Sequence, residues 1–379
     1  MAVIKNAKIF DGEKMLGQTA VVFENGKVTG FLDSSDCADA IDAGGKLVTP
    51  GLVDIHIHGS FGIDFMEKGA LETVCKKLPQ YGVTSLLATS VTESDRAIRD
   101  FLGYTRKAMK MEKGTRILGA HLEGPYFSYE NRGAHDENEL RDPLPENYHA
   151  MTDGFEDIIT RVSIAPEKKG GFELVKELVE DGVLVSVAHT NANADEMEKA
   201  IDLGLSLCTH TFNGMFPFHH RNTGSIGVVL TDDRITCEFI PDLHHITKLA
   251  IRLILKSKGT ENTIICTDAI AGALVEDGDY VLGGLAVVVK DSVAHLKSDG
   301  RLAGSTISLD WGVRNLVNEV GVPVETALRM ATRNPAKAIG RDHQVGRLAV
   351  GSNADILVLN DDLTVERTFI RGVEEYHRV

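Results

Sequence analysis

Pro50-Gly51-Leu52-Val53-Asp54-Ile55-His56-Ile57-His58-Gly59 decides how the rest of this chain is read. Leu52 to Ile57 is apolar and β-branched enough for a buried strand, and Gly59 ends it. Side chains alternate along a strand, so His56 and His58 share one side. Two imidazoles that close repel each other if protonated and bind a divalent ion if neutral. The alternative is two histidines hydrogen-bonded within a core. The residues on either side of this stretch decide between the two.

Beyond it, strand, loop and helix repeat. Strands are expected at Leu52–His58, Ser85–Thr89, Ile117–Leu122, Arg161–Ala165, Leu184–His189, Leu205–His210, Ile235–Ile240 and Thr263–Asp268. Helices are expected at Leu71–Tyr81, Asp95–Met111, Phe172–Glu180, Ala194–Leu203 and Thr247–Ser257, most closed by a turn glycine. Eight strands joined by crossovers predict an α/β fold, a (β/α)8 TIM barrel over residues 49–345. Asp279 to Ser298 interrupts the rhythm with two apolar runs, Val281 to Leu285 and Ala286 to Val289, read as extra strands. Helices resume at Ser308–Val320, Pro323–Thr332 and Pro335–Ile339. Residues 1–48 and 346–379 are both rich in short strands and too small to stand alone. They are expected to pair into one small β-sandwich domain beside the barrel.

The chain has 379 residues, 43% of them hydrophobic, which is ample for a large core. Its net charge of -15 argues against a nucleic-acid partner, while a local basic pocket stays possible. The five cysteines, Cys37, Cys75, Cys208, Cys237 and Cys266, form no C-x-x-C pair and read as reduced, mostly buried thiols. Neither a signal peptide nor an apolar run long enough to span a bilayer is found, so a cytoplasmic location and no membrane partner are expected.

The chemically capable residues fall at strand ends. Strand one ends in His56 and His58, strand three in His121-Leu122-Glu123, strand five in His189, strand six in His210 and strand eight in Asp268. In a barrel these ends converge on one mouth, where active sites of this fold sit. Nitrogen and carboxylate donors without thiolate suit zinc or a similar ion, with iron, manganese or cobalt as alternatives. Glu123 could bridge a His56/His58 site and a His189/His210 site. A bound ion lowers the pKa of its water from ~15.7 towards ~7. Asp268 could then move a proton from that water to a leaving nitrogen; its other reading is a helix cap.

The order H-x-H, Glu, His, His, Asp, with this layout, resembles the amidohydrolase superfamily. Finer strings resemble its N-acetylglucosamine-6-phosphate deacetylase branch: His121-Leu122-Glu123-Gly124-Pro125, Ile164-Ala165-Pro166-Glu167, Thr209 to Met215, Thr267-Asp268-Ala269, Leu302-Ala303-Gly304-Ser305 and Met330-Ala331-Thr332. Hydantoinase-like relatives place a carboxylated lysine at the end of strand four. Here that end reads Ser163-Ile164-Ala165-Pro166, so Glu123 must serve instead. Some deacetylases replace the strand-one histidines and hold one ion; both are kept here, so one or two are possible, the Glu123/His189/His210 site being the safer.

The resemblance implies further roles. His135 matches the histidine that polarises the acetyl carbonyl. Asn213, Gly214 and Arg221 match phosphate contacts, the arginine sometimes supplied by a neighbouring subunit, so a homodimer is expected. His245, with His244 as the alternative, matches a histidine that touches the sugar phosphate. Ala303 and Gly304 lie in a segment that matches the acyl-pocket lining. The implied substrate is a phosphorylated N-acetyl amino sugar, and the implied reaction hydrolyses its acetamide in amino-sugar catabolism or cell-wall sugar recycling. Three readings compete: a deacetylase of an epimeric hexosamine phosphate, another metal-dependent amidohydrolase or deaminase, and a non-catalytic scaffold on the same fold.

Overall fold

The computed structural model describes residues 1–33 and 39–378, so Cys37 lies outside the described residues. All eight expected barrel strands form. They are β1 (Leu52–Ile57), β2 (Val83–Thr89), β3 (Arg116–Glu123), β4 (Ile159–Ile164), β5 (Leu184–Val187), β6 (Leu207–Cys208), β7 (Thr236–Phe239) and β8 (Thr263–Ile265). Each pairs in parallel with the next in chain order. The ring closes just past β8: the Asp268 N–H donates to the His56 carbonyl (2.9 Å) and the His58 N–H to that of Ala269 (2.8 Å). The bonds that close the barrel are therefore made by residues of the expected site.

The pleat of β1 is not regular. Leu86 faces Asp54 but Ala88 faces Ile57, so β1 carries one extra residue there. Such a bulge re-aims the following side chains. Similar shifts occur between β2 and β3 and between β3 and β4. Outside the ring, Leu86, Leu122, Val162, Val187, Cys237 and Phe239 pack with apolar helix faces in one large core. A separate buried cluster joins Val53, Ile55, Leu87, Leu207 and Ile264 to Ala336, Ile339 and Val345. It brings together strands that are not neighbours in the ring, as the barrel interior requires.

Several elements depart from the sequence expectation. Leu71–Tyr81 divides into an α-helix over Ala70–Cys75 and a 3-10 turn over Leu78–Tyr81, since Pro79 has no N–H to continue the ladder. The run Val281 to Leu285 is not one strand. Gly283 and Gly284, both at positive φ, turn a hairpin between Gly278–Leu282 and Leu285–Lys290, and Val293–Leu296 adds a third strand. Ser308–Val320 finishes as a π-helix over Leu316–Val320. Helices at Pro145–Thr152 and Gly224–Thr231 are additional; the second is buried along nearly its whole length and so shows no polar face to read.

Both chain ends form sheets. Ala2–Lys5, Ala20–Glu24, Lys27–Leu32 and Ile41–Asp42 make a four-stranded sheet. Lys8–Ile9, Leu47–Pro50, Ile356–Leu359, Val365–Ile370 and Val373–His377 make a five-stranded one. Ile4, Val21 and Phe23 from the first share one core with Ile356, Val358 and Phe369 from the second. Only Gly51 separates Leu47–Pro50 from β1. Among the described residues no helix is long and apolar enough to cross a membrane.

Arg116 at the start of β3 pairs with Asp355, which also accepts the Arg371 N–H (2.8 Å). Both side chains are largely buried. Removing one partner of a buried pair typically costs ~3–5 kcal/mol. Asp355→Ala is expected to lower unfolding free energy by about 3 kcal/mol in urea titrations. A midpoint within error of the parent would contradict a structural role for this pair.

Candidate metal and active site

The expected strand-end residues meet at one mouth of the barrel, with Glu123 at the end of β3 in their centre. Its Oε1 lies 3.1 Å from His210 Nε2, 3.3 Å from His56 Nε2 and 3.8 Å from His189 Nε2. Its Oε2 lies 3.1 Å from His58 Nε2 and 3.8 Å from His135 Nε2. Asp268 Oδ1 completes the group, 3.1 Å from His58 Nε2 and 3.5 Å from His56 Nε2. Ligand atoms of His56, His58, Glu123 and Asp268 all lie within 4.8 Å of one another, and so do those of Glu123, His135 and His189.

Three of these residues leave their strands in an unusual conformation. His189 (φ 45), His210 (φ 28) and Asp268 (φ 48) occupy the left-handed region, which side chains other than glycine rarely adopt. Each such residue costs on the order of 1–3 kcal/mol and persists where surrounding structure enforces it. Two glycines press on the His189 ring. A Cβ at Gly214 would meet its Nδ1 at 2.5 Å and one at Gly133 would meet its Cε1 at 2.8 Å. The ring therefore has little freedom to tilt.

Hydrogen bonds assign the tautomers. The His189 Nδ1–H donates to the Asn131 carbonyl (2.8 Å), so its Nε2 lone pair faces Glu123. His56 donates from Nδ1 to Glu238 Oε1 (3.0 Å), which turns Nε2 towards Glu123 and Asp268. His135 is the opposite case: its Nδ1 accepts the Thr92 N–H (3.4 Å), so Nε2 carries the proton and points into the cavity as a donor. Burial lowers the His135 pKa to about 4, so it is neutral at pH 7. That suits a hydrogen-bond donor better than an ion ligand.

The electrostatics favour a cation. Burial opposes a proton on His58, yet the Asp268 hydrogen bond and Glu123 outweigh it and push its pKa up to about 9. Burial likewise opposes ionised Glu123, but His56 and the surrounding imidazole hydrogen bonds hold its carboxyl well below the usual range. His56 Nε2 and His58 Nε2 face each other at 3.2 Å. Two neutral imidazoles cannot both present lone pairs so closely without a positive charge between them. The donor set thus fits a divalent ion.

The cavity over this cluster is lined by His58, Glu123, His135, His189, His210 and Asp268, and by Asn213, Gly214, His245, Leu302 and Gly304. His245 Nδ1 is held by Asp242 Oδ2 (2.7 Å), which leaves Nε2 for the cavity; His244 is not part of the lining. Two expected substrate contacts lie elsewhere. Ala303 is fully buried behind the wall, in an apolar cluster with Val91, Ile270 and Leu282, so its side chain does not reach the cavity. Arg221 is exposed on a loop outside it, with Nη1 3.0 Å from His220 Nε2.

Sequence reading missed Arg161 and Glu238, paired at 2.6 Å with no exposure beneath the cluster. Each is a single charged residue inside an apolar strand, and no spacing marks it. An alternating strand with one charged residue on its inward side was the available signal.

An ion entering this cluster must displace the His58 proton. His58 is protonated below pH 9, and Glu123 and Asp268 hold the His56 pKa well above its ordinary value too, so apparent ion affinity should rise with pH up to 9. The rise should approach about tenfold per pH unit for each proton released. Chelator competition between pH 6 and 9 measures it, and a flat profile would contradict the proton exchange.

Comparisons with known proteins agree with this geometry. Residues 47–374 match the model of the amidohydrolase family. The chain is 36% identical over 366 residues to the N-acetylglucosamine-6-phosphate deacetylase of Vibrio furnissii, covering 95% of this chain and 91% of that protein. It is 34% identical to that of Bacillus subtilis, covering 86% and 84%. The crystal structure of the Pasteurella multocida deacetylase superposes with a TM-score of 0.93 at 33% identity, over 98% of this chain and 99% of that one. An aspartate-to-alanine mutant of the Mycobacterium smegmatis enzyme, in complex with N-acetyl-D-glucosamine-6-phosphate, superposes at 0.92 with 30% identity, over 99% of each chain. The chain belongs to the amidohydrolase family and, within it, to the N-acetylglucosamine-6-phosphate deacetylases.

Proposed function

We propose that this enzyme hydrolyses the acetamide of N-acetyl-D-glucosamine 6-phosphate to acetate and glucosamine 6-phosphate. The observation that carries this reading is the convergence of His56, His58, His189, His210 and Asp268 on Glu123 in a chain of this family. Those six residues would hold one or two divalent ions, zinc being the best match to imidazole and carboxylate donors, with iron, manganese and cobalt as alternatives. Glu123 Oε1 faces His189, His210 and His56 while Oε2 faces His58, so this one carboxylate could serve either one ion or two. When bound, the ion supplies a water acidic enough to ionise near neutral pH.

The remaining work falls to side chains. The Asp268 carboxylate takes the proton from the attacking water as its oxygen bonds to the acetyl carbon. His135 donates its Nε2–H to the carbonyl oxygen as negative charge develops there, a contribution of ~3–4 kcal/mol for one donor. Asp268 then gives its proton to the nitrogen as the C–N bond breaks, and the amine leaves. His245, Asn213 and Gly214 bind the phosphate end, and Gly304 lines the acyl side. Arg221 cannot serve its own cavity from its exposed loop. It is assigned to the cavity of a second copy, an arrangement supported by the exposed Phe216 and Phe218 beside it.

Acetate release across N-acetylated sugar phosphates is the direct test. N-Acetylglucosamine 6-phosphate should be turned over fastest; equal turnover of the galactosamine epimer would favour the epimeric reading. Removing the phosphate should lower kcat/KM by roughly tenfold to a few hundredfold, since a charged hydrogen bond is worth ~1.5–3 kcal/mol. Arg221→Ala should have a similar effect in a dimer, and a fully active monomer would contradict the shared contact. Asp268→Asn should abolish most turnover and leave an ion at Glu123, His189 and His210; kcat near wild type would contradict its role as proton carrier.

A further inference from the structure

A TIM barrel normally fills its interior with branched apolar side chains. Under this cluster the interior is polar instead. Arg161 on β4 crosses the barrel and spends all five of its N–H groups. Nε donates to Ser186 Oγ (3.1 Å), Nη1 to the Ile55 carbonyl (3.2 Å) and Glu238 Oε2 (2.6 Å), and Nη2 to Thr209 Oγ1 (2.8 Å) and Glu238 Oε1 (3.0 Å). Glu238 on β7 is thus gripped by both ends of a planar fork and cannot rotate. Its Oε1 keeps one further acceptor site, and the His56 Nδ1–H fills it. Arg161, Glu238 and His56 are all completely buried.

Buried ion pairs seldom add net stability, so stability alone does not account for this one. Its geometry gives it a different use. A lone carboxylate beneath His56 would be an uncompensated charge in the interior. Arg161 neutralises it and fixes its orientation, and His56 is then held with Nδ1 protonated and Nε2 aimed at Glu123 and Asp268. The other histidine of the pair has no such brace, because His58 Nδ1 is buried without a partner among the described residues. Cys266 and Glu238 also lie near His56, but Arg161 already occupies the carboxylate, so that trio is not a second ion site.

We propose that Glu238, locked by Arg161, is a positioning residue that fixes the His56 tautomer and thereby sets how tightly the His56/His58 half of the centre holds its ion. This rests on the reading of His56 as an ion ligand. Carboxylates that hold ligand histidines in this way typically change metal affinity by about 10–100-fold when removed.

Zinc competition with a chelator, on the full-length protein, tests it. His56→Asn first identifies the binding step that depends on His56. In Glu238→Gln, and in an Arg161→Met/Glu238→Met double variant that removes both charges, that step should weaken by about 10–100-fold while the other changes little. Variants that melt earlier but bind zinc as the parent does would reduce the pair to a structural role and overturn the proposal. Long-range 1H–15N spectra of zinc-loaded wild type give a readout that needs no variant: His56 should be protonated on Nδ1, and an unprotonated Nδ1 would overturn it. Wild type that binds no zinc would sink the metal reading itself. Zinc binding unaffected by His56→Asn would remove His56 from the ion ligands and sink this inference, leaving the site of Glu123, His189 and His210 in place.

Discussion

A carboxylate shut away from water has to be answered by positive charge, and at Glu123 the whole architecture is bent to that end. The cluster contains two carboxylates and a pair of imidazole nitrogens too close for both to present lone pairs without a positive charge between them. Protons can supply the missing charge, as at His58. A divalent ion supplies it better, because it needs only lone pairs from the imidazoles and so removes the conflict between His56 and His58. The same positive surroundings that hold Glu123 ionised keep the Asp268 carboxylate ionised as well.

Position follows from the fold. The Asp268 backbone closes the barrel onto His56 while its side chain enters the cluster, so closure and chemistry are made by the same residue. His189, His210 and Asp268 bear the strain of turning inward at strand ends. Gly133 and Gly214 let the chain approach the His189 ring closely enough to hold it. Beneath, the Arg161–Glu238 pair replaces part of an apolar interior with a polar support. These features cost stability one by one and are sustained by the large apolar core outside the ring.

Much of this was legible in the sequence. Alternating strand and helix periods, closed by glycines, located all eight barrel strands, because buried parallel strands are short apolar runs with sharp ends. The site was legible because its residues sit at those ends. What could not be read is what depends on contacts between distant residues. Glu238 and Arg161 are lone charges whose meaning exists only once β4 and β7 face each other. The bulge in β1 leaves no mark in the local sequence. Ala303 lies within a string that matches the family, yet a matching string does not say which of its side chains faces the cavity. The helix Gly224–Thr231 is apolar throughout and gives no period to read.

The measurement closest to the central claim is anomalous diffraction at the zinc edge from crystals of the protein loaded with zinc. The account predicts density bonded to Glu123 together with His189 and His210, and a second peak between Glu123, His56 and His58. Strong zinc peaks only at surface histidines, with nothing beside Glu123, would contradict it.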